Sequence, residues 1–171
     1  MFKLSFLSLL LVSSFASAEE ARRANAHVHG LNNLSMVISQ NQVAISYEMP
    51  IVQLLDDHDE HDEHDDHEEL TVSDETLATF NNYSQLFEFP KGAGCNLTSF
   101  KSGLHSVSTE GDHKDVELSY EFACSNPSQL KSLTINAFDR FSELETLNFE
   151  AVINNKALTK SLKSDVNKVI F

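Results

Sequence analysis

Residues 56–69 carry the most distinctive chemistry in this chain of 171 residues. Four histidines recur there at every third position: His58, His61, His64 and His67. All ten remaining side chains are carboxylates. Imidazole nitrogen and carboxylate oxygen are ligands that suit divalent metals such as zinc. We call residues 56–69 the His/acid segment and predict that it is a disordered, flexible loop that binds metal ions.

The ligand chemistry of the His/acid segment favours zinc over calcium. Calcium takes a cage of oxygen ligands around a loop that contains glycine, and residues 56–69 have no glycine and four imidazoles. Copper and nickel remain alternatives, because the affinity of such ligands follows the Irving–Williams order. The dense negative charge should raise the imidazole pKa values above the reference of about 6.5, so that protons compete with zinc.

Three further histidines are candidates for a site on the folded body. His27 and His29 stand in a His-Val-His-Gly motif, and on a strand they would point to the same face, where both could contact one ion. His113 precedes a predicted strand and could supply a third nitrogen. His105 has no acidic neighbour, and we expect it to be structural or solvent-exposed.

Two other functions are compatible with these residues. A zinc hydrolase could use His27, His29 and His113 with water as the fourth ligand, but the sequence contains no recognisable catalytic motif and we predict that the chain is not an enzyme. A structural or interaction protein could use the His/acid segment only for solubility.

The first 18 residues predict secretion. Lys3 precedes an apolar stretch over residues 4–15, and an Ala-Ser-Ala cleavage site follows at 16–18. We therefore predict a signal peptide (1–18), one metal-binding domain (19–171), a periplasmic location and no membrane span after processing. The net charge of −14 excludes nucleic acid as a partner, and we expect a monomer.

Cys95 and Cys124 are the only cysteines. An even pair in an oxidising compartment predicts a disulfide, which would stabilise the fold by roughly 3–4 kcal/mol. Two thiolate ligands for zinc are the competing interpretation.

Alternating apolar residues predict a β-rich α+β domain, with an antiparallel sheet of about seven or eight strands. Residues 34–39 and 42–48 should form a hairpin with a turn at Asn41-Gln42, and Ser73 should cap one main helix over about residues 74–88. The other predicted strands are 95–100, 104–108, 116–124, 133–138, 146–153 and 166–171, with a turn at Asn154-Asn155.

Taken together, these residues resemble the ZrgA-type family of periplasmic zinc-binding proteins involved in zinc uptake. The resemblance extends over the mature chain and rests on an ordered set of motifs: His27-Val28-His29-Gly30, the segment after Pro50, Leu86-Phe87, Gly92-Ala93-Gly94-Cys95, His113, and residues 120–127. It implies a secreted domain that holds zinc with histidines and supplies an import system, through the periplasmic binding protein of a zinc ABC transporter.

In the family, a Gly-Phe-Glu-His stretch usually follows the Pro-aliphatic segment, and in this chain the His/acid segment stands in its place. The resemblance therefore implies that His27, His29 and His113 form the folded zinc site, completed by His58 or by a carboxylate of the segment. His61, His64 and His67 would then form weaker, exchangeable sites.

Overall fold

The computed structural model of the chain describes residues 30–54, 72–106 and 114–171. The predicted signal peptide (1–18) and the His/acid segment lie outside these residues. The described chain contains nine strands: β1 (Leu31–Ser39), β2 (Gln42–Pro50), β3 (Phe87–Glu88), β4 (Cys95–Ser106), β5 (Lys114–Cys124), β6 (Ser132–Ile135), β7 (Thr146–Ile153), β8 (Lys156–Leu162) and β9 (Lys168–Ile170). Two short helices, α1 (Asp74–Thr79) and α2 (Ala137–Arg140), and four single-turn 3-10 helices connect them.

The strands form two sheets. Six strands pair in the order β4-β5-β2-β1-β7-β8, and three pair in the order β3-β6-β9. All described pairings are antiparallel except β1 with β7, which is parallel. The prediction of one antiparallel sheet is therefore correct in its β-rich character and wrong in its topology. Local alternation of apolar residues reports which face of a strand is buried, but carries no information about the direction of a partner 115 residues away.

The first hairpin is confirmed, with its turn shifted by one residue. Ser39 pairs with Gln42, so that Gln40 and Asn41 form the turn, and Gln40 adopts a left-handed conformation with φ of 56°. The predicted turn at Asn154 and Asn155 is also confirmed: both residues have positive φ and connect β7 to β8. Asparagine tolerates this conformation better than most residues with a side chain.

The predicted helix over residues 74–88 is much shorter in the structure. The predicted cap is confirmed, because the Ser73 hydroxyl accepts a hydrogen bond from the Thr76 backbone amide at 3.1 Å. The helix nevertheless ends at Thr79, and a 3-10 turn and β3 follow. The Gln85 side-chain amide donates to the Thr79 carbonyl at 3.2 Å, a local side-chain-to-backbone bond of the kind that competes with helical structure. Across the described residues, no helix has the length and apolar character needed to cross a bilayer.

Several strand boundaries also differ from the predictions. The segment predicted at 95–100 and the described part of the segment predicted at 104–108, as far as Ser106, belong to the single strand β4. The segment predicted at 133–138 divides into β6 and α2. The strand β8 was not predicted at all. It lies at an edge of the six-stranded sheet. Leu158 and Leu162 face the core, but Lys156 and Lys160 stand on the same face, so the sequence lacks the apolar alternation that marks a half-buried strand.

The hydrophobic core lies between one face of the six-stranded sheet and the elements that cover it. The largest buried side chains on the sheet are aromatic: Tyr47, Tyr120, Phe122 and Phe149. From the small sheet, the Phe87 ring meets the Tyr120 ring edge to face, with centroids 5.4 Å apart. The opposite face of the six-stranded sheet is more polar and carries Asn33, Ser35, Glu48 and Glu117.

Candidate metal centre

All seven histidines predicted as zinc ligands lie outside the described residues: His27, His29, His58, His61, His64, His67 and His113. Within residues 30–54, 72–106 and 114–171, no group of three or more His, Cys, Asp or Glu side chains is arranged to hold a metal ion. The geometry that bears on the candidate site is therefore that of the strands to which these histidines are joined.

Three adjacent strands bring the attachment points of those segments to one end of the six-stranded sheet. β1 begins at Leu31, shortly after His29, and β5 begins at Lys114, directly after His113. β2 lies between them, is antiparallel to both, and ends at Pro50, shortly before the His/acid segment. Because β1 and β5 start where β2 finishes, all three attachments share this end, which we call the histidine-proximal end.

The strand register makes this placement specific. Glu48 of β2 pairs with Asn33 of β1 on one side and with Glu117 of β5 on the other. His29 stands four residues before Asn33, and His113 stands four residues before Glu117. Neighbouring strands are spaced by about 4.8 Å, so β1 and β5 are about 10 Å apart across β2. β1 and β5 therefore run in the same direction, and each histidine precedes by four residues the position that pairs with Glu48.

Two carboxylates of the same register lie on the polar face at this end. The Glu117 Oε1 atom accepts hydrogen bonds from the hydroxyls of Ser46, at 3.2 Å, and Ser119, at 3.3 Å. Glu48 is the direct cross-strand neighbour of Glu117 and is exposed. Sequence reasoning did not select this pair, because β2 and β5 are distant in the sequence. Alternation does indicate that both residues face away from the core.

Gly30 fixes the backbone immediately after His29. Its φ of +81° lies in the left-handed region, and a Cβ atom at this position would stand 2.7 Å from the carbonyl oxygen of Glu143. The Gly30 carbonyl accepts hydrogen bonds from the backbone amides of Glu145, at 2.9 Å, and Thr146, at 3.0 Å. Glycine at this position therefore permits a backbone conformation that a residue with a side chain would adopt only with strain.

A buried polar pair supports the start of β1. The Asn32 side-chain amide donates to the Tyr47 hydroxyl at 2.6 Å, and both side chains are fully buried. Burial raises the pKa of Tyr47 above that of an exposed phenol, and the hydrogen bond from Asn32 offsets part of this rise. The pair joins β1 to β2 next to the histidine-proximal end.

The points where the chain leaves and rejoins the body around the His/acid segment are packed on the core. Ile51 is 1 % exposed and begins the 3-10 helix that follows β2. Leu54 and Val72, the last and first described residues around the gap, are partly buried and pack against the core cluster. Both attachments of the segment are therefore held by hydrophobic contacts.

The two cysteines form a disulfide and are not metal ligands. Cys95 and Cys124 form a disulfide and are directly opposite each other in the register of β4 and β5. The competing interpretation, two thiolate ligands for zinc, is wrong, because a disulfide leaves no thiolate. The bond lies at the far end of β5 from Lys114, and we call this end of the sheet the disulfide end.

His105 is the one histidine that falls on a described strand. It lies in β4 and pairs in register with Asp115 of β5. No structural observation adds it to the predicted ligand set.

Comparison with known proteins identifies the family. A search of curated proteins returned no match. The family model described as the ZrgA family zinc uptake protein matches residues 26–171, a range that includes His27, the whole His/acid segment, His113 and both cysteines. The resemblance seen in the sequence motifs is confirmed, and the chain belongs to the ZrgA family of zinc uptake proteins.

Proposed function

We propose that this chain is a periplasmic protein that captures zinc and delivers or buffers it for uptake. Its folded site uses His27, His29 and His113, completed by His58 or by a carboxylate of the His/acid segment. The remaining segment histidines (His61, His64 and His67) form weaker, exchangeable sites. The family supports a role in zinc uptake, and the ligand set and cellular location are our proposals.

The observation that carries this proposal is the shared end of β1, β2 and β5. The proposed zinc site requires ligands from separate parts of the chain to meet within about 2 Å of one ion. In the strand register, β1 and β5 begin on either side of the end of β2. His29 and His113 stand shortly before those two strands in the sequence, and the His/acid segment follows shortly after β2. A chain in which these segments left from opposite ends of the sheet would need long connections to bring the histidines together.

Electrostatics assists capture in this proposal. The ten carboxylates of the His/acid segment concentrate cations around it, and Glu48 and Glu117 add two more at the histidine-proximal end. The segment then acts as a collecting region with fast exchange, and the folded site acts as the tighter store. The receiver is the periplasmic binding protein of a zinc ABC transporter, and no catalytic step is required.

Zinc calorimetry on four proteins tests the division into two classes of site. These are the wild type, a variant lacking residues 56–69, the double variant His27→Ala/His29→Ala, and the control His105→Ala. The deletion should lower the stoichiometry and keep a tight phase of reduced affinity, because His27, His29 and His113 remain while the ligand from the segment is lost. The double variant should lose the tight phase and keep the weak one. The control should match the wild type, because His105 lies outside the proposed ligand set.

Equal zinc stoichiometry in all four proteins would contradict the proposal. The pH dependence provides a second test. Only neutral imidazole binds zinc, and its reference pKa is about 6.5, so affinity should fall steeply below about pH 6. Constant affinity from about pH 7.5 to about pH 5.5 would exclude histidine ligands.

A further inference from the structure

The strand β8 carries an unusual concentration of positive charge for this protein. Residues 156–171 contain four lysines and one acidic residue, whereas the whole chain has 26 acidic and 12 basic residues. Three of these lysines lie on or directly after β8: Lys156, Lys160 and Lys163. Among the described residues, none of the three forms an ion pair.

β8 is also an open edge of the six-stranded sheet. Within the described part of the chain it pairs with β7 on one side only, so alternate residues direct backbone N–H and C=O groups away from the sheet. Lys156 and Lys160 are four residues apart, so they lie on the same face of the strand, about 13 Å from each other. Ala157 and Thr159 lie on the other face.

Exposed apolar side chains continue from β8 onto the polar face of the sheet. Ala157 pairs with Val152, which is 44 % exposed, and Val152 pairs with Val37, which is 49 % exposed. The edge therefore offers unpaired backbone groups, positive charge on one face and a small apolar row on the other. This combination suits an added strand whose acidic and apolar residues alternate.

We propose that β8 is a docking edge for an extended acidic segment of a partner protein, which pairs with it as an added strand. Lysines on an edge strand discourage pairing between copies of that strand, because like charges would face each other. The same lysines attract an acidic strand, so repulsion and attraction together give selectivity. Elsewhere the strongly negative chain repels such a partner, and β8 is where it can approach.

A labelled peptide with alternating Glu and Val tests this proposal on the full-length protein, with zinc removed by a chelating resin. Fluorescence anisotropy should detect binding at about 0.01 M ionic strength and weaker binding at about 0.1 M, as the Debye length falls from about 30 Å to about 10 Å. A matched peptide with alternating Gln and Val should bind much more weakly. The measurement needs no zinc, so its failure is distinct from failure of the proposed zinc function.

Two charge-matched variants locate the binding. Lys156→Glu/Lys160→Glu should weaken peptide binding about tenfold or more, whereas Lys91→Glu/Lys131→Glu, with the same change in net charge at exposed positions away from β8, should weaken it less than about threefold. If the β8 variant fails to fold, Lys156→Gln/Lys160→Gln replaces it. In the wild type, hydrogen exchange should slow at residues 156–162 when the peptide binds.

Absence of peptide binding, or equal losses in the two double variants, would overturn the proposal. Tighter peptide binding by the variant lacking residues 56–69 would instead assign the edge to the chain's own His/acid segment. A concentration-dependent dimer that the β8 variant abolishes would assign it to a second copy. Either result would overturn a partner protein as the occupant.

Discussion

The two ends of the six-stranded sheet are built differently. At the disulfide end, a covalent bond joins β4 to β5, and backbone hydrogen bonds tie the surrounding turns together: the Cys124 amide donates to Asn41, the Ser125 amide to Gly94, and the Asn126 amide to Ala93. At the histidine-proximal end, three strands present the attachments of the candidate ligand segments. The stabilising disulfide and the proposed zinc site therefore lie at opposite ends of the same strands.

Removal of the disulfide should have the largest effect on stability. Cys95→Ala/Cys124→Ala opens a loop with a sequence separation of 29 residues and should lower the free energy of unfolding by about 3–4 kcal/mol, measured by urea denaturation. Zinc affinity under native conditions should change little, because the bond lies at the end of the sheet opposite the histidine attachments. A large loss of zinc affinity in a variant that is still folded would show that the two ends are coupled.

Gly30→Ala should affect the histidine-proximal end. Alanine at φ of +81° is strained, and its Cβ would stand too close to the Glu143 carbonyl, so we expect a loss of about 1–3 kcal/mol in urea denaturation. Zinc affinity should fall as well, because His29 is the preceding residue. The control is Gly103→Ala, which meets no atom within 4 Å and has no positive φ. Equal effects of the two substitutions on zinc affinity would argue against a positioning role for Gly30.

Two buried tyrosines between the ends predict sensitivity to alkali. Burial raises the pKa of Tyr47 and of Tyr120, and for Tyr120 the neighbouring Tyr47 adds to the rise. The pKa of each tyrosine is higher in the folded state than the unfolded value of about 10. The free energy of unfolding should therefore be unaffected by these groups below about pH 10 and should fall as the pH rises above it. Each phenol should contribute a slope of up to about 1.4 kcal/mol per pH unit.

Urea denaturation between about pH 9 and about pH 11.5 checks this slope. Tyr120→Phe should remove the contribution of one phenol to the slope of the free energy of unfolding against pH. The Tyr120 hydroxyl donates to the Phe80 carbonyl at 2.9 Å, so the same substitution should also lower the free energy of unfolding at neutral pH by about 1 kcal/mol. An unchanged alkaline slope in this variant would show that Tyr120 does not titrate differently on folding.

The sequence predicted local features better than long-range ones. The first hairpin, the Ser73 cap, the turn at Asn154-Asn155 and the disulfide follow from short patterns, and all are present. The parallel pairing of β1 with β7 does not follow from such a pattern, because it depends on how strands that are distant in the sequence pack against the same hydrophobic core. The helix prediction failed because one run of apolar spacing is divided between α1 and β3.

The sequence likewise indicates which residue types are candidate ligands, but not where in the fold their segments attach. His-x-His spacing and the His/acid segment indicate metal chemistry from the sequence alone. Only the pairing of β2 with β1 and β5 shows that the segments carrying them attach at one end of the sheet. The same holds for Glu48 and Glu117, because only the register of β2 with β5 shows that they are cross-strand neighbours.

The central claim is that His29 and His113 bind the same zinc ion, and a double-mutant cycle tests it most directly. Zinc affinity of the tight site would be measured by competition with a chromophoric chelator for the wild type, His29→Ala, His113→Ala and the combined variant. Each single substitution should weaken binding about tenfold or more, and the second should add less than about threefold, because the shared site is already lost. Fully additive losses would contradict a shared site.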